Sequence, residues 1–176
     1  MVTLEQLRAI CPLTKAGRLA VFVEPLNDAM PEFGINTLPR EAAFLAQAAH
    51  ETMGFVHLKE IGSGVRYEGR TDLGNDEPGE GMAMKGHGIF QLTGDKNFQA
   101  AGVALHGDRD WYRYNPDLAA EPLEACRIAG WYWQSNGLNE LADAQNFRKI
   151  TIRINGGLNG YDDRVAYWNR AQEVLA

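Results

Sequence analysis

The 176-residue sequence predicts a single, mainly α-helical domain carrying one small, glycine-rich, partly β lobe. Three observations predict it. Apolar residues recur at helical spacing between recognisable start and stop signals over most of the chain. Nine of the 19 glycines fall within residues 61–94, a stretch without helical periodicity. No linker, internal repeat or low-complexity tract divides residues 1–176, a length that suits one domain of ~100–200 residues.

The elements follow in order. Thr3 and Gln6 have capping-box spacing and start a short helix ending near Ile10. Lys15 to Met30 reads as helical, with Leu19, Val21, Phe22, Val23 and Leu26 apolar; Pro25 inside it predicts a kink or break. Thr37-Leu-Pro-Arg40 opens the next helix with Pro39 in its first turn. That helix runs to about Met53, with Gly54 as its stop. In the glycine-rich region, short strands are expected at Val65–Tyr67 and Ile89–Leu92. A stretch this long without helical periodicity inside a compact domain is usually functional. Asp95 can cap a helix that ends before Gly107. Glu121-Pro122 starts another through Trp133, with Gly137 beyond its end. Phe147 to Ile154 forms a third that stops at Asn155-Gly156-Gly157, and a last helix runs from about Asp162 to Leu175.

Composition excludes several classes. Hydrophobic residues make up 45% and charged residues 23%, as in a globular protein rather than a disordered one. No apolar run approaches the ~18–20 residues of a membrane span, so stable membrane insertion is not expected. Met1 to Ile10 carries Glu5 and Arg8 without a long apolar core, unlike a signal peptide, so synthesis in the cytoplasm is expected. A net charge of −6 with no basic run argues against binding nucleic acid through its phosphates. Cys11 and Cys126, far apart in sequence, read as small buried side chains rather than a disulfide scaffold or zinc site.

The sharpest local feature is Ala48-Ala49-His50-Glu51-Thr52. Positions 44, 48 and 51 share one helical face, so Glu51 is expected to point with Phe44 and Ala48 toward the apolar side. It also lies in the last turn, near the negative end of the helix dipole. Burial and the dipole both favour the protonated form that a general acid requires. Nine residues on, Glu60 lies past the helix stop and is expected to be more exposed and ionised. Two carboxyl groups in unlike settings form the acid/base pattern of glycoside hydrolysis. The same spacing also arises by chance, with Glu51 simply paired to Arg66 or Arg70. A zinc reading of His50-Glu51 fails, because the second histidine would fall at Gly54. Asp72, Asn75, Asp76, Glu77 and Glu80 lack calcium-loop spacing and read as a solvated acidic loop. No metal or cofactor is expected.

Phe44-Leu-Ala-Gln-Ala-Ala-His-Glu-Thr52 resembles the catalytic helix of glycoside hydrolase family 19. Further matches come in the family's order. Tyr67-Glu-Gly-Arg70 with Leu73-Gly-Asn75 is similar to the form found in phage and prophage endolysins of this group. Lys85-Gly-His-Gly-Ile-Phe-Gln-Leu-Thr-Gly94, followed by Asn97-Phe98, resembles the strand and turn of its substrate cleft. Ile154-Asn-Gly-Gly157 and Asp163-Arg164 resemble its late cleft motif and the start of its final helix. The likeness covers about residues 19–175, and residues 1–18, which fit it less well, are expected as a small N-terminal cap.

The resemblance implies a lysozyme-like, bilobal fold and hydrolysis of a β-1,4 bond beside an N-acetylated sugar, with inversion. Glu51 then matches the general acid, Glu60 the general base, and Thr93 a residue that holds the attacking water. Gln91, Asn97 and Asn155 match cleft residues that hydrogen-bond sugar or water, and Arg70 and Arg164 match basic residues of the cleft network. Tyr67 is expected to stack on a sugar face; Trp111, Trp131, Trp133 and Trp168 are read first as packing residues. His87 departs from the pattern, standing where an arginine is usual; protonated, it could hold a catalytic carboxylate, and otherwise it bonds backbone. Glu68 is a rival for the base role. The expected partner is the peptidoglycan glycan strand, with chitin oligomers as the alternative, acted on by a monomer. The phage-like segment, the lack of a secretion signal and the lack of a chitin- or wall-binding module favour an endolysin that reaches the cell wall after holin-mediated release. A lytic transglycosylase and an inactive glycan-binding protein are the competing readings; Glu60 argues against the first, and retained Glu51, Glu60 and Thr93 argue against the second.

Overall fold

A computed structural model describes all 176 residues, Met1–Ala176. Nine α-helices account for most of the chain: α1 (Leu4–Ile10), α2 (Ala16–Glu32), α3 (Leu38–Glu51), α4 (Glu80–Ala83), α5 (Asp95–His106), α6 (Pro122–Ser135), α7 (Leu138–Asp143), α8 (Phe147–Asn155) and α9 (Tyr161–Leu175). Their ends obey local chemistry. Thr3 caps α1 through a complete capping box with Gln6. Gly107 and Gly156 end α5 and α8 in the left-handed conformation that glycine adopts without strain. The expected break at Pro25 does not occur, and α2 runs unbroken through Pro25 and Pro31. Val21, whose carbonyl Pro25 cannot bond, lies on the exposed side where water can satisfy it, while Leu19, Phe22, Leu26 and Met30 hold the other face in the core.

The centre of the molecule is α3, buried continuously from Ala42 to Ala49. Its small residues let α9 pack closely along it, and α2 packs on α6. The N-terminal segment joins this body. Val2, Leu7, Ile10 and Cys11 lie in the main core, and α1 packs on α9 and α2. Both cysteines are free and buried; burial pushes the Cys11 thiol up to about 12 and raises that of Cys126. No helix is long and apolar enough to cross a membrane.

The glycine-rich lobe contains no strand. Val65–Tyr67 and Thr71–Leu73 are single 3₁₀ turns, and pairing is confined to isolated bridges from His87 to Lys59 and to Leu92. Glycine contacts account for this. A Cβ at Gly64 would come within 2.6 Å of the Gly81 carbonyl, and one at Gly81 would overlap the Tyr67–Glu68 backbone. Backbone packed this closely leaves no ladder to propagate. A second, smaller core of Met84, Phe98, Ala101, Tyr112, Ala119 and Ile128 lies beside the lobe.

Candidate active site

Glu51 is the last residue of α3. Its Oε1 accepts the Arg164 Nη2 of α9 at 2.6 Å, with the arginine side chain 2% exposed and the glutamate 21%. Arg164 also donates to Gln47 Oε1, one turn earlier on α3, and to the Asn159 carbonyl at 3.3 Å. Gln47 in turn donates to Thr151 Oγ1 of α8 at 2.8 Å. One guanidinium therefore ties the end of α3 to α8 and α9. The expected all-apolar setting of Glu51 is corrected: Phe44 and Ala48 are buried as predicted, but the inner side of the carboxylate meets a cation. Neither Arg66 nor Arg70 is that partner. Immediately beside it, His50 Nδ1 lies 2.6 Å from Asp163 Oδ2, a second link between α3 and α9.

The chain leaves Glu51 through a tight reversal. Met53, Gly54 and Phe55 all have positive φ, at 51°, 76° and 66°. Left-handed backbone at two non-glycine residues is strained, and such strain persists only where surrounding contacts enforce it. Here Thr52 Oγ1 accepts the Phe55 N–H at 2.7 Å, Thr14 Oγ1 donates to the Gly54 carbonyl at 3.0 Å, and Arg18 Nε donates to the Phe55 carbonyl at 2.6 Å.

The reversal delivers Glu60, whose side chain is 18% exposed and so no more open than Glu51, contrary to expectation. Three donors enclose it. Arg66 Nη2 reaches Oε1 at 2.8 Å, while the Tyr67 hydroxyl and the Gly86 N–H reach Oε2 at 3.0 and 3.3 Å. Arg66 also donates to the Tyr67 hydroxyl and sits 4.7 Å from the centroid of its ring. Tyr67 is therefore not a bare sugar platform, since one ring face carries a guanidinium.

Gln91, Thr93 and Asn97 come together, lining one pocket of about 240 Å³ with Phe90, Leu92, Trp131 and Tyr132. Gln91 has φ 52° and donates to the Gly88 carbonyl at 3.0 Å. The Thr93 hydroxyl donates to the Gln91 carbonyl, and the Asn97 amide to the Thr93 carbonyl. The pocket adjoins the Glu60 side: a Cβ at Gly86, whose N–H bonds Glu60, would overlap Gln91 Oε1. Burial raises the Tyr132 hydroxyl above its ordinary range, Arg153 opposing and Glu51 adding to the rise. Asn155 ends α8 with a buried Nδ2 that has no protein partner.

Other candidates fall elsewhere. Arg70 pairs with Asp72 at 2.5 Å on the surface and joins neither glutamate. His87 is buried but lies 3.2 Å from Asp117, with Nδ1 at the Lys85 carbonyl, so it holds neither Glu51 nor Glu60. Glu68 accepts the backbone N–H groups of Gly79 and Met82 and is occupied in anchoring α4. The tryptophans divide: Trp133 is fully buried and Trp168 stacks on Phe147, whereas Trp131 reaches the pocket and Trp111 is partly exposed. Sequence reasoning missed Gln47 and Tyr132. Gln47 was detectable as a polar residue one turn before Glu51, inside an otherwise apolar helical face; Tyr132 carried no such signal.

No protein-family model matches the chain. It is 31% identical over 157 residues to a glycosyl hydrolase family 19 domain-containing protein of Haemophilus influenzae, covering 71% of this chain and 74% of that one. The chain belongs to glycoside hydrolase family 19. Within the family it is also 31% identical to chitinase 6 of Oryza sativa subsp. japonica over 154 residues, spanning 55% of that protein's length. Chitinase C from Streptomyces griseus has the same fold, with a TM-score of 0.80 at 25% identity over 99% of this chain and 76% of that one. A class IV family 19 chitinase from Zea mays shares the fold at 23% identity and a TM-score of 0.73, over 99% of this chain and 92% of that one.

Proposed function

We propose that this family 19 chain is an endolysin-type hydrolase that cuts the β-1,4 glycan backbone of bacterial peptidoglycan with inversion. The observation that carries the reading is the pair Glu51 and Glu60, each held by its own arginine, together with a pocket lined by Gln91, Thr93 and Asn97. In this reading Glu51 gives its proton to the glycosidic oxygen as the C–O bond breaks, and Arg164 steadies the carboxylate left behind. A water on the opposite face attacks the anomeric carbon and passes its proton to Glu60, with the Thr93 hydroxyl holding it in line. Gln91, Asn97 and Asn155 offer amide groups to the sugar's acetamido and hydroxyl groups. The buried, unpartnered Asn155 Nδ2 is a donor in want of such an acceptor.

The Tyr67–Asn75 segment, similar to that of phage lysins, supports peptidoglycan and delivery from a host cytoplasm through a holin pore. Chitin is the second reading, favoured by the chitinases among the relatives. The deciding experiment digests purified Gram-negative peptidoglycan with wild type and Glu51→Gln and analyses the products by mass spectrometry. Reducing muropeptides from the wild type alone are expected. Anhydro sugars would move the protein to the transglycosylase class. Cleavage of chitin oligomers without any muropeptide would overturn the substrate assignment and keep the hydrolase.

A further inference from the structure

The surroundings of Glu60 carry an inference that rests on its proposed role as base. An ionised carboxylate offers about four acceptor positions, two on each oxygen. Oε2 uses both of its own, for the Tyr67 hydroxyl and the Gly86 N–H. Oε1 uses one, for Arg66. A single acceptor position remains, and it is on Oε1. The chain also folds back beside it: a Cβ on Gly62 would stand 2.9 Å from Oε1, so only glycine leaves the carboxyl group its room there.

We propose that Arg66 is a positioning residue for the base, turning Glu60 so that the free lone pair of Oε1 faces the attacking water. Its own geometry fits that role. The guanidinium lies over the Tyr67 ring and donates to both the Tyr67 hydroxyl and Glu60, so ring, hydroxyl and carboxylate fix one another. Both hydrogen bonds leave one nitrogen, Nη2, while the rest of the guanidinium lies over the ring, and it is this stacking that a lysine ammonium does not reproduce. Arg66 is also 70% exposed, which leaves it a minor part of the fold. The remaining charged groups around Glu60 are otherwise engaged. Lys59 and His87 face Asp117, at 2.6 and 3.2 Å, and Lys85 donates to the Gly62 carbonyl at 2.9 Å. Arg66 is the cation that acts on the carboxylate itself.

The test compares wild type, Arg66→Ala, Arg66→Lys and Glu60→Gln on peptidoglycan, with thermal melting as a check on folding. Arg66→Ala is expected to melt near wild type and to lose ten- to a hundredfold in kcat with KM within about twofold. Arg66→Lys should recover only part of kcat, because it lacks the planar group that lies over the Tyr67 ring. A loss confined to KM would make Arg66 a sugar contact and overturn the proposal. So would wild-type kcat in Arg66→Ala, or full recovery of kcat by lysine. If Glu60→Gln keeps wild-type activity, the base assignment itself fails and the proposal with it. A dead Glu60→Gln beside an unaffected Arg66→Ala sinks only the positioning role.

Discussion

Arg164 is the residue on which the acid side of the cleft is assembled. It is almost wholly buried, and its partners Glu51 and Gln47 lie one turn apart on α3. Deleting one member of a buried ion pair strands the other, which costs about 3–5 kcal/mol. Glu51 keeps some solvent contact, so Arg164→Ala is expected to lose about 3 kcal/mol in urea unfolding, the low end of that range. A loss below about 1 kcal/mol would class the pair with surface ion pairs. Asp117 gives a milder case with a definite pH sign. Lys59, and after it His87, hold its carboxyl below the usual range. The stabilisation is therefore complete above the unfolded value of about 4 and is lost as pH falls through the lower folded value. With Asp117 68% exposed, the effect should stay well under about 1 kcal/mol. Wild type should melt slightly above Asp117→Asn at pH 6, and the gap should narrow as pH falls below about 4; a gap unchanged in strong acid would mean that charge is not its source. These residues also mark what spacing conveys. Periodicity put Glu51 on the right helical face, but it cannot name a partner 113 positions away. Glu60 is less open than expected because two of its three donors, Tyr67 and Gly86, come from separate turns that only the folded lobe brings together.

At the level of elements, helix ends were legible and the glycine-rich lobe was not. The capping box at Thr3, Pro122 in the first turn of α6 and the glycines at 107 and 156 act within a turn of themselves, so the sequence carries them directly. The conformation of residues 61–94 is set by backbone touching backbone, which no local pattern encodes. Two glycines separate these effects experimentally. Gly160 has φ 68°, and a Cβ there would overlap the His50 ring, at the junction where α9 meets the end of α3. Gly160→Ala is expected to lose about 2 kcal/mol or more through strain and overpacking together, and to lower activity by shifting Arg164 from Glu51. Gly17, in the first turn of α2, has open space around its Cβ direction and no positive φ. Gly17→Ala should gain about 0.4–1 kcal/mol through the unfolded chain and leave activity as it was. Equal effects of the two substitutions in chemical denaturation would refute the geometric distinction.

The whole molecule is two hydrophobic clusters sharing one helix. Ala125, Cys126, Ala129 and Trp133 of α6 belong to the main core, while Ile128 of the same helix belongs to the smaller one. The expected bilobal build thus has a physical basis in α6, which presents a face to each cluster; Glu51 stands at the end of the central helix and Glu60 in the loop-built lobe. Such an arrangement predicts unequal stability. The α3 amides sit in the large core, whereas α5 and the 110–120 segment depend on six buried residues. Phe98 is the largest apolar side chain of that set after Tyr112 and is fully buried. Phe98→Ala should cost the small cluster about 3–5 kcal/mol. If the clusters open separately, native-state hydrogen exchange in this variant will quicken across α5 and residues 110–120 by orders of magnitude, while α3 amides change far less. Activity would fall with the opening of the lobe, since Asn97 starts the α5 side of the pocket and Phe98 follows it. Uniform acceleration across α3 and α5 would instead show one cooperative unit, with α6 transmitting the damage from the small core to the large one.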